Sequence, residues 1–261
     1  MDYNILIDKN EEKSINYMMS SSILTIDVLD NIEAKLYLFI KYKGINTINI
    51  NLKEYSKFTV VSFLEGSSNE LTINVTQNEK SSFKYFECNL SKDSKTYNKI
   101  NLNGIEASAY VFNILVENEL YKAHKDIDIY HNAKSTNCSF NNYAIAKDNA
   151  SIVLDVKAYI KEGMTKSNTA QINKGIILSE NASIEASPKL FISENDVFAS
   201  HGAAIGRMND NELYYLMSRG LTLEASKQIL IKGFIKPYLD NFKLNETYDW
   251  ISSKIFDEIR G

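Results

Sequence analysis

Three histidines and two cysteines are the side chains in this sequence best suited to ligand or nucleophile chemistry. Cys88 and Cys138 stand far apart and form no Cys-x-x-Cys unit. That spacing speaks against a zinc or four-cysteine cluster site built from this chain alone. Both read more simply as small apolar residues of a β core. His124 and His131 flank the strand-like segment Ile127–Tyr130, where an imidazole is more often solvated or hydrogen-bonded than a ligand. His201 differs in its surroundings. It lies in Ala199-Ser-His-Gly-Ala-Ala-Ile-Gly206, where small residues let another backbone or a ligand come close. Gly202 and Gly206 permit unusual backbone dihedrals there. Chemistry alone favours a structural role for His201, although imidazole is a common iron ligand.

Other chemistries find no support. The sequence has no Gly-x-Ser-x-Gly elbow, no cysteine beside a candidate base and no Walker-type phosphate loop. Asp and Glu are scattered, as on solvated strand faces. The net charge of −4 and the lack of a basic stripe argue against a nucleic-acid partner. The start, MDYNILIDKNEEK, carries charges where a signal peptide would place its apolar core. Apolar runs such as Ile23–Leu29 and Val111–Val116 fall far short of the ~20 residues of a membrane helix. No membrane partner and a cytoplasmic location are therefore expected.

The elements that must position these residues follow from periodicity. Residues 1–22 read as a polar, aperiodic segment. From 23 to 207 short Ile-, Val-, Tyr- and Phe-rich runs alternate with polar residues, as expected of half-buried strands. Examples are Ile23–Leu29, Leu36–Tyr42, Phe58–Leu64, Leu71–Val75, Phe83–Cys88 and Tyr110–Val116. Asn-Ala-Ser-Ile occurs at 149–152 and again at 181–184, an offset of 32 residues, and the flanks match too. Tyr143-Ala-Ile-Ala-Lys-Asp precedes one copy and Gly175-Ile-Ile-Leu-Ser-Glu the other. Such a repeat suggests stacked β-solenoid units, with an antiparallel sandwich as the alternative. From 208 to 261 the pattern is helical. Asn209 or Asp210 caps a first helix and Gly220 stops it. Thr222 caps a second, which Pro237 should bend or end. A third starts at Thr247 with an apolar stripe of Trp250, Ile251, Ile255 and Ile259.

The stretch Gly175-Ile-Ile-Leu-Ser-Glu-Asn-Ala-Ser-Ile-Glu-Ala-Ser-Pro-Lys-Leu-Phe-Ile, followed by Asn195-Asp-Val-Phe-Ala-Ser-His-Gly-Ala-Ala-Ile-Gly, resembles the end of the SufB/SufD family core. The second part is similar to that family's D-V-x-x-S-H-G-A-x-x-G signature. Leu213-Tyr-Tyr-Leu-Met-Ser-Arg-Gly-Leu and Glu224-Ala…Gly233-Phe resemble its C-terminal helices. The likeness covers residues 175–234, is loose over 120–174 and does not place 1–119. It implies a right-handed parallel β-helix with a small C-terminal helical subdomain. It also implies a scaffold role in SUF-type iron–sulfur cluster assembly, with a SufC-type ATPase bound through the C-terminal helices and a SufB-like subunit met at the β-helix end. Self-pairing is the runner-up assembly. Family members are usually longer and carry an N-terminal helical domain, which the early start of the β pattern leaves no room for.

Carried over residue by residue, the resemblance points to a SufD-like chain. His201 matches the interface histidine and is the candidate cluster ligand, shared with the partner subunit. Ser200 and Gly202 stand where SufB-type chains carry acidic residues. Asn173 stands where those chains carry a sulfur-accepting cysteine, and an amide cannot do that chemistry. Tyr215, Arg219, Gly220, Leu221, Gly233 and Phe234 are the candidate partner-binding residues. Apart from the resemblance, the plainer reading of Leu213, Leu216, Leu221, Ile229 and Leu230 is that some of them pack onto the open end of the β-helix. The resemblance implies no stably bound cofactor, only a transient iron–sulfur cluster at a subunit interface, and no catalysis. Two alternatives remain at this point: a β-helix enzyme acting on polysaccharide, and an interaction-only protein that has lost the cluster role.

Overall fold

The computed structural model describes residues 2–17, 22–41, 44–242 and 246–260. Strands come first in chain order: β1 (Asp2–Ile7), β2 (Glu11–Tyr17), β3 (Ser22–Val28), β4 (Glu33–Ile40), β5 (Gly44–Leu52), β6 (Lys57–Leu64), β7 (Asn69–Gln77) and β8 (Ser82–Asn89). There follow β9 (Ser94–Leu102), β10 (Ser108–Glu117), β11 (Lys122–His131), β12 (Asn137–Ala146), β13 (Ser151–Ile160), β14 (Asn168–Ile177), β15 (Ser183–Ile192) and β16 (Phe198–Arg207). Helices close the chain: α1 (Asp210–Ser218), α2 (Leu223–Leu239), a 3-10 turn (Asp240–Phe242) and α3 (Glu246–Arg260).

Odd strands form one eight-stranded sheet in the order β1 to β15, and even strands form the other in the order β16 to β2. Neighbours within each sheet are parallel. Each coil thus gives one strand to each sheet, and the fold is a parallel β-solenoid. Corners between strands recur with one residue at positive φ, among them Tyr55 (59°), Lys80 (51°), Glu106 (59°) and Ser135 (58°). Stacked corners are tied together: Tyr55 N donates to Glu79 O at 2.9 Å and Lys80 N to Ile105 O at 2.9 Å. The left-handed residue is therefore a periodic device of the coil, taken mostly by polar side chains.

The repeat read from the sequence is a true coil, because Ser151 pairs with Ser183 and Ile152 with Ile184. On the even sheet, however, Gly175 pairs with Ala144 rather than Tyr143. The turn between β14 and β15 is one residue longer than that between β12 and β13. The segment 1–22 is not a polar lead-in. β1 pairs with β3 and β2 with β4, so the charged run Glu11-Glu12-Lys13 belongs to a terminal coil. Of the expected strand Leu36–Tyr42, Tyr42 lies outside the described residues.

Burial differs between the sheets for a reason that also places the helices. β11 and β13 alternate strictly between buried and half-exposed residues, so only their inner face is covered. In β6, β8, β10 and β12 the later residues are buried on both faces. Their outer side chains, Phe63, Phe86, Cys88, Phe112, Ile114 and Tyr143, pack with Ile231, Ile235, Tyr238, Leu239, Phe242, Ile251 and Ile255. Trp250 meets Phe63 edge-on at 4.4 Å and Phe39 at 5.6 Å. The helices therefore lie along the outer face of the even sheet and do not plug the solenoid end. Of the leucines and isoleucines expected at that end, Ile229 is exposed and the other four are half-buried. The cap assignments agree with the sequence: Asn209 accepts from Asn211 N at 2.9 Å and Thr222 Oγ1 from Ala225 N at 3.2 Å. Gly220 takes φ 93°. Pro237 lies inside α2, which runs two residues further, so it does not itself end the helix. The carbonyl that loses its partner there is that of Gly233, which is exposed and open to water.

Candidate functional site

The last coil is built differently from the rest. β15 and β16 end their sheets, so neither has a neighbour on its outer edge. Most of β16 is exposed, including Phe198 at 80 %, and in β15 Phe191 is half-exposed. The site is this bare coil and the interior row that leads to it.

His201 sits on β16 opposite Gln171 of β14. Gln171 is buried between the sheets, and register partners in a parallel ladder point the same way. His201 thus continues an inward-facing row at the point where no further coil covers it, and it is exposed. Its Nδ1–H donates to the Pro188 carbonyl at 3.3 Å. That bond fixes the ring tautomer and leaves the Nε2 lone pair for an outside partner. Pro188 lies on the edge strand β15, where a missing N–H is tolerated. Nothing in the sequence singled out this carbonyl. Ser200 and Gly202 flank His201 and are exposed. Gly202 and Gly206 do not supply unusual dihedrals, since neither has a positive φ. A Cβ added at either would meet no atom within 4 Å, so their contribution is a smooth surface.

Asn173 occupies the next inward row and is fully buried. That row runs Ser62, Glu87, Asn113, Asn142, Asn173 and ends at Ala203 on the bare coil. Asn113 donates to Asn142 Oδ1 at 2.6 Å, and Asn142 to Asn173 Oδ1 at 2.8 Å. Deeper in, Lys125 Nζ meets Glu87 Oε2 at 2.6 Å, both side chains being fully buried. Tyr85 OH donates to the same oxygen at 2.7 Å and lies 2.7 Å from Ser62 Oγ. Burial, and then the Glu87 carboxylate, push the Tyr85 phenol well up. Burial pulls the Lys125 ammonium down against the opposing pull of Glu87. Sequence reasoning missed this polar interior. Its trace was the recurrence of Asn at 113, 142 and 173, one per coil.

The cysteines are not available as thiolates. Cys138 lies inside the solenoid, and Cys88 lies under the helices. Burial pushes both thiols up, with Glu87 adding to the effect at Cys88. His131 is buried, its Nδ1 2.8 Å from Thr136 Oγ1, and burial pulls its pKa to about 4. On the helices, Arg219 stacks its guanidinium over the exposed Tyr215 ring at 5.2 Å, next to Gly220 and Leu221. Gly233 is exposed, while Phe234 packs edge-on against Tyr143 at 5.0 Å. The structure does not bring these residues near His201 into one site. Among the described residues no helix is long and apolar enough to cross a membrane.

Comparison with known proteins bears on this geometry. Residues 12–234 match the family described as "SUF system FeS cluster assembly, SufBD core domain". The iron–sulfur cluster assembly protein SufD of Bacillus subtilis is 35% identical over 116 residues, which cover 44% of this chain and 26% of that protein. A SufBD family protein of Synechocystis is 28% identical over 180 residues, covering 66% and 38%. SufD of Escherichia coli is 28% identical over 104 residues, covering 40% and 25%. The aligned parts thus span less than two-fifths of these relatives' own length. The chain belongs to the SufB/SufD family and is SufD-like.

Proposed function

Starting from that membership, we propose that the chain is a non-catalytic scaffold subunit of a SUF-type iron–sulfur cluster assembly complex in the cytoplasm, working with a SufC-type ATPase and a SufB-like partner. The observation that carries the reading is the bare last coil. It offers two unpaired strand edges, exposed Phe191 and Phe198, and an oriented imidazole on a platform of small residues. Unpaired edges and exposed aromatics favour pairing with another chain. His201 would serve as one ligand of a cluster held transiently at that interface. The sulfur ligands would come from the partner, because both thiols here are buried and held protonated. The helices on the outer face of the even sheet, with Tyr215 and Arg219 exposed, would meet the ATPase.

Co-expression with a SufB-like chain and a SufC-type ATPase, followed by affinity capture and light scattering, tests the assembly. A complex holding all three chains is expected, and a homodimer that ignores the SufB-like chain would overturn it. Anaerobic reconstitution then tests the site. His201→Ala should leave the complex intact and reduce cluster formation, read by visible absorption. Unchanged cluster formation in that variant would remove His201 from the role.

A further inference from the structure

The outer face of the odd sheet carries a second cluster of potential ligands, far from the helices and on the other sheet from His201. His124 and Asp126 are two residues apart on β11, so both side chains rise from the same face. Asp155 on β13 is the register partner of Asp126. Two carboxylates directly opposed on neighbouring strands repel, and a cation must offset them. Lysines do part of this from one side. Lys157 Nζ lies 3.6 Å from Asp126 Oδ1 and 3.4 Å from Asp128 Oδ1, and Lys189 Nζ lies 3.5 Å from Asp155 Oδ1. Tyr97 OH donates to Asp128 Oδ2 at 3.0 Å.

The lysines leave the two remaining oxygens of Asp126 and Asp155 turned to the imidazole. His124 Nε2 is 3.3 Å from Asp126 Oδ2 and 3.4 Å from Asp155 Oδ2. Yet Nε2 is closed off from solvent and forms no properly directed hydrogen bond to either. A nitrogen set between two carboxylate oxygens, with no directed hydrogen bond to either, has the spacing of a coordination polyhedron. With bonds of about 2.0–2.1 Å, ligand atoms at the corners of a tetrahedron stand about 3.3–3.4 Å apart. Two edges of this triangle have that length, and all three atoms lie within 4.8 Å of one another.

We propose that His124 Nε2, Asp126 Oδ2 and Asp155 Oδ2 form a binding site for a first-row divalent cation, with zinc as the best-matched probe. One imidazole with two carboxylates suits zinc-like ions better than calcium or magnesium, which prefer all-oxygen shells.

The test uses the full chain, stripped with a chelator and titrated calorimetrically with Zn(II), with Co(II) absorption as a report on geometry. Binding of one Zn(II) per chain is expected, with tetrahedral Co(II) bands. His124→Gln and, separately, Asp155→Asn should weaken the affinity at least about tenfold and abolish the bands. His201→Ala should leave both unchanged. His124 and Asp155 sit on the outer face of paired strands, so circular dichroism should report intact folds. The proposal is overturned if the wild-type chain binds no Zn(II), or if His124→Gln binds it as the wild type does.

Discussion

Inside the solenoid, Lys125 and Glu87 form an ion pair from which water is wholly excluded. Their partners come from opposite sheets, Glu87 from β8 and Lys125 from β11, so the pair clamps the two sheets together. Removing one charge strands the other. Lys125→Met keeps roughly the same length and apolar stem but leaves a buried carboxylate whose remaining donor among the described residues is Tyr85 OH at 2.7 Å. Breaking a buried pair in this way typically costs about 3–5 kcal/mol. The double variant Lys125→Met with Glu87→Gln removes both charges. A Gln side-chain oxygen can still accept from Tyr85, so the double variant should recover most of the loss. The assay is urea unfolding followed by circular dichroism on the wild type, both single variants and the double variant. A coupling energy of about 2 kcal/mol or more is expected from the cycle. A Lys125→Met variant that loses under about 1 kcal/mol, or singles whose losses simply add in the double, would refute the claim that this pair is dry and mutually dependent.

Two further outcomes follow from the same geometry. Glu117 at the end of β10 is buried, and burial, then the Asp93 and Glu258 carboxylates, raise its pKa to about 8, against some relief from Lys92. A raised carboxyl pKa means that the folded state holds a proton the unfolded state gives up, so stability falls as pH rises from about 4.5 to about 8. Glu117→Gln should therefore stay close to the wild type near pH 5 and exceed it by about 4 kcal/mol at pH 9, each pKa unit being worth about 1.4 kcal/mol; equal melting temperatures at pH 9 would count against the raised pKa. The sequence has one tryptophan, Trp250, and it packs edge-on against the stacked rings of Phe39 and Phe63. Ile235→Asp places a charge in the interface between helix and even sheet, at a cost of about 3 kcal/mol or more. Its fluorescence should shift to the red as the helices lift; an unshifted spectrum would mean that the helices are held elsewhere.

How much of this was legible depended on whether a signal survived from one coil to the next. The Asn-Ala-Ser-Ile repeat was readable because β13 and β15 pair at a constant offset of 32 residues. Earlier coils escaped notice because their lengths change. Ser22 pairs with Asn46, Glu70 with Lys95 and Lys122 with Ser151, offsets of 24, 25 and 29. A repeat of drifting length leaves no fixed period to find. The first coil was lost for another reason. A terminal repeat has one solvated flank, and charged residues such as Glu11, Glu12 and Lys13 mask its alternation. The apolar stripe of α3 was plain, but a stripe says only that a face is buried, not against what. The clue to its partner lay in the strands. Runs such as Val-Phe-Asn-Ile-Leu-Val at 111–116 are too continuously apolar for a sheet with a wet outer face.

His201 itself was found by resemblance, yet its setting follows from packing. An open solenoid end would ordinarily expose its core to water. Here the last coil closes behind the histidine. Gly175 faces inward on β14, opposite Ile205 of β16. A Cβ at Gly175 would sit 3.0 Å from Ile184 Cδ1 and 3.2 Å from Ile205 Cγ1, so the missing side chain is what lets an isoleucine from each sheet meet across the lumen. Asn173 lies two residues before this seal, and its row ends at Ala203. Nearby, Gln171 donates to the Lys189 carbonyl at 3.4 Å, and His201 to that of Pro188. Both inward-facing groups are thus held by backbone carbonyls of β15. A histidine held this way has lost rotamer freedom before any partner arrives. A coil that is bare, smooth at Gly202 and Gly206, and preset in its one imidazole is organised to receive another surface, since less ordering remains to oppose association.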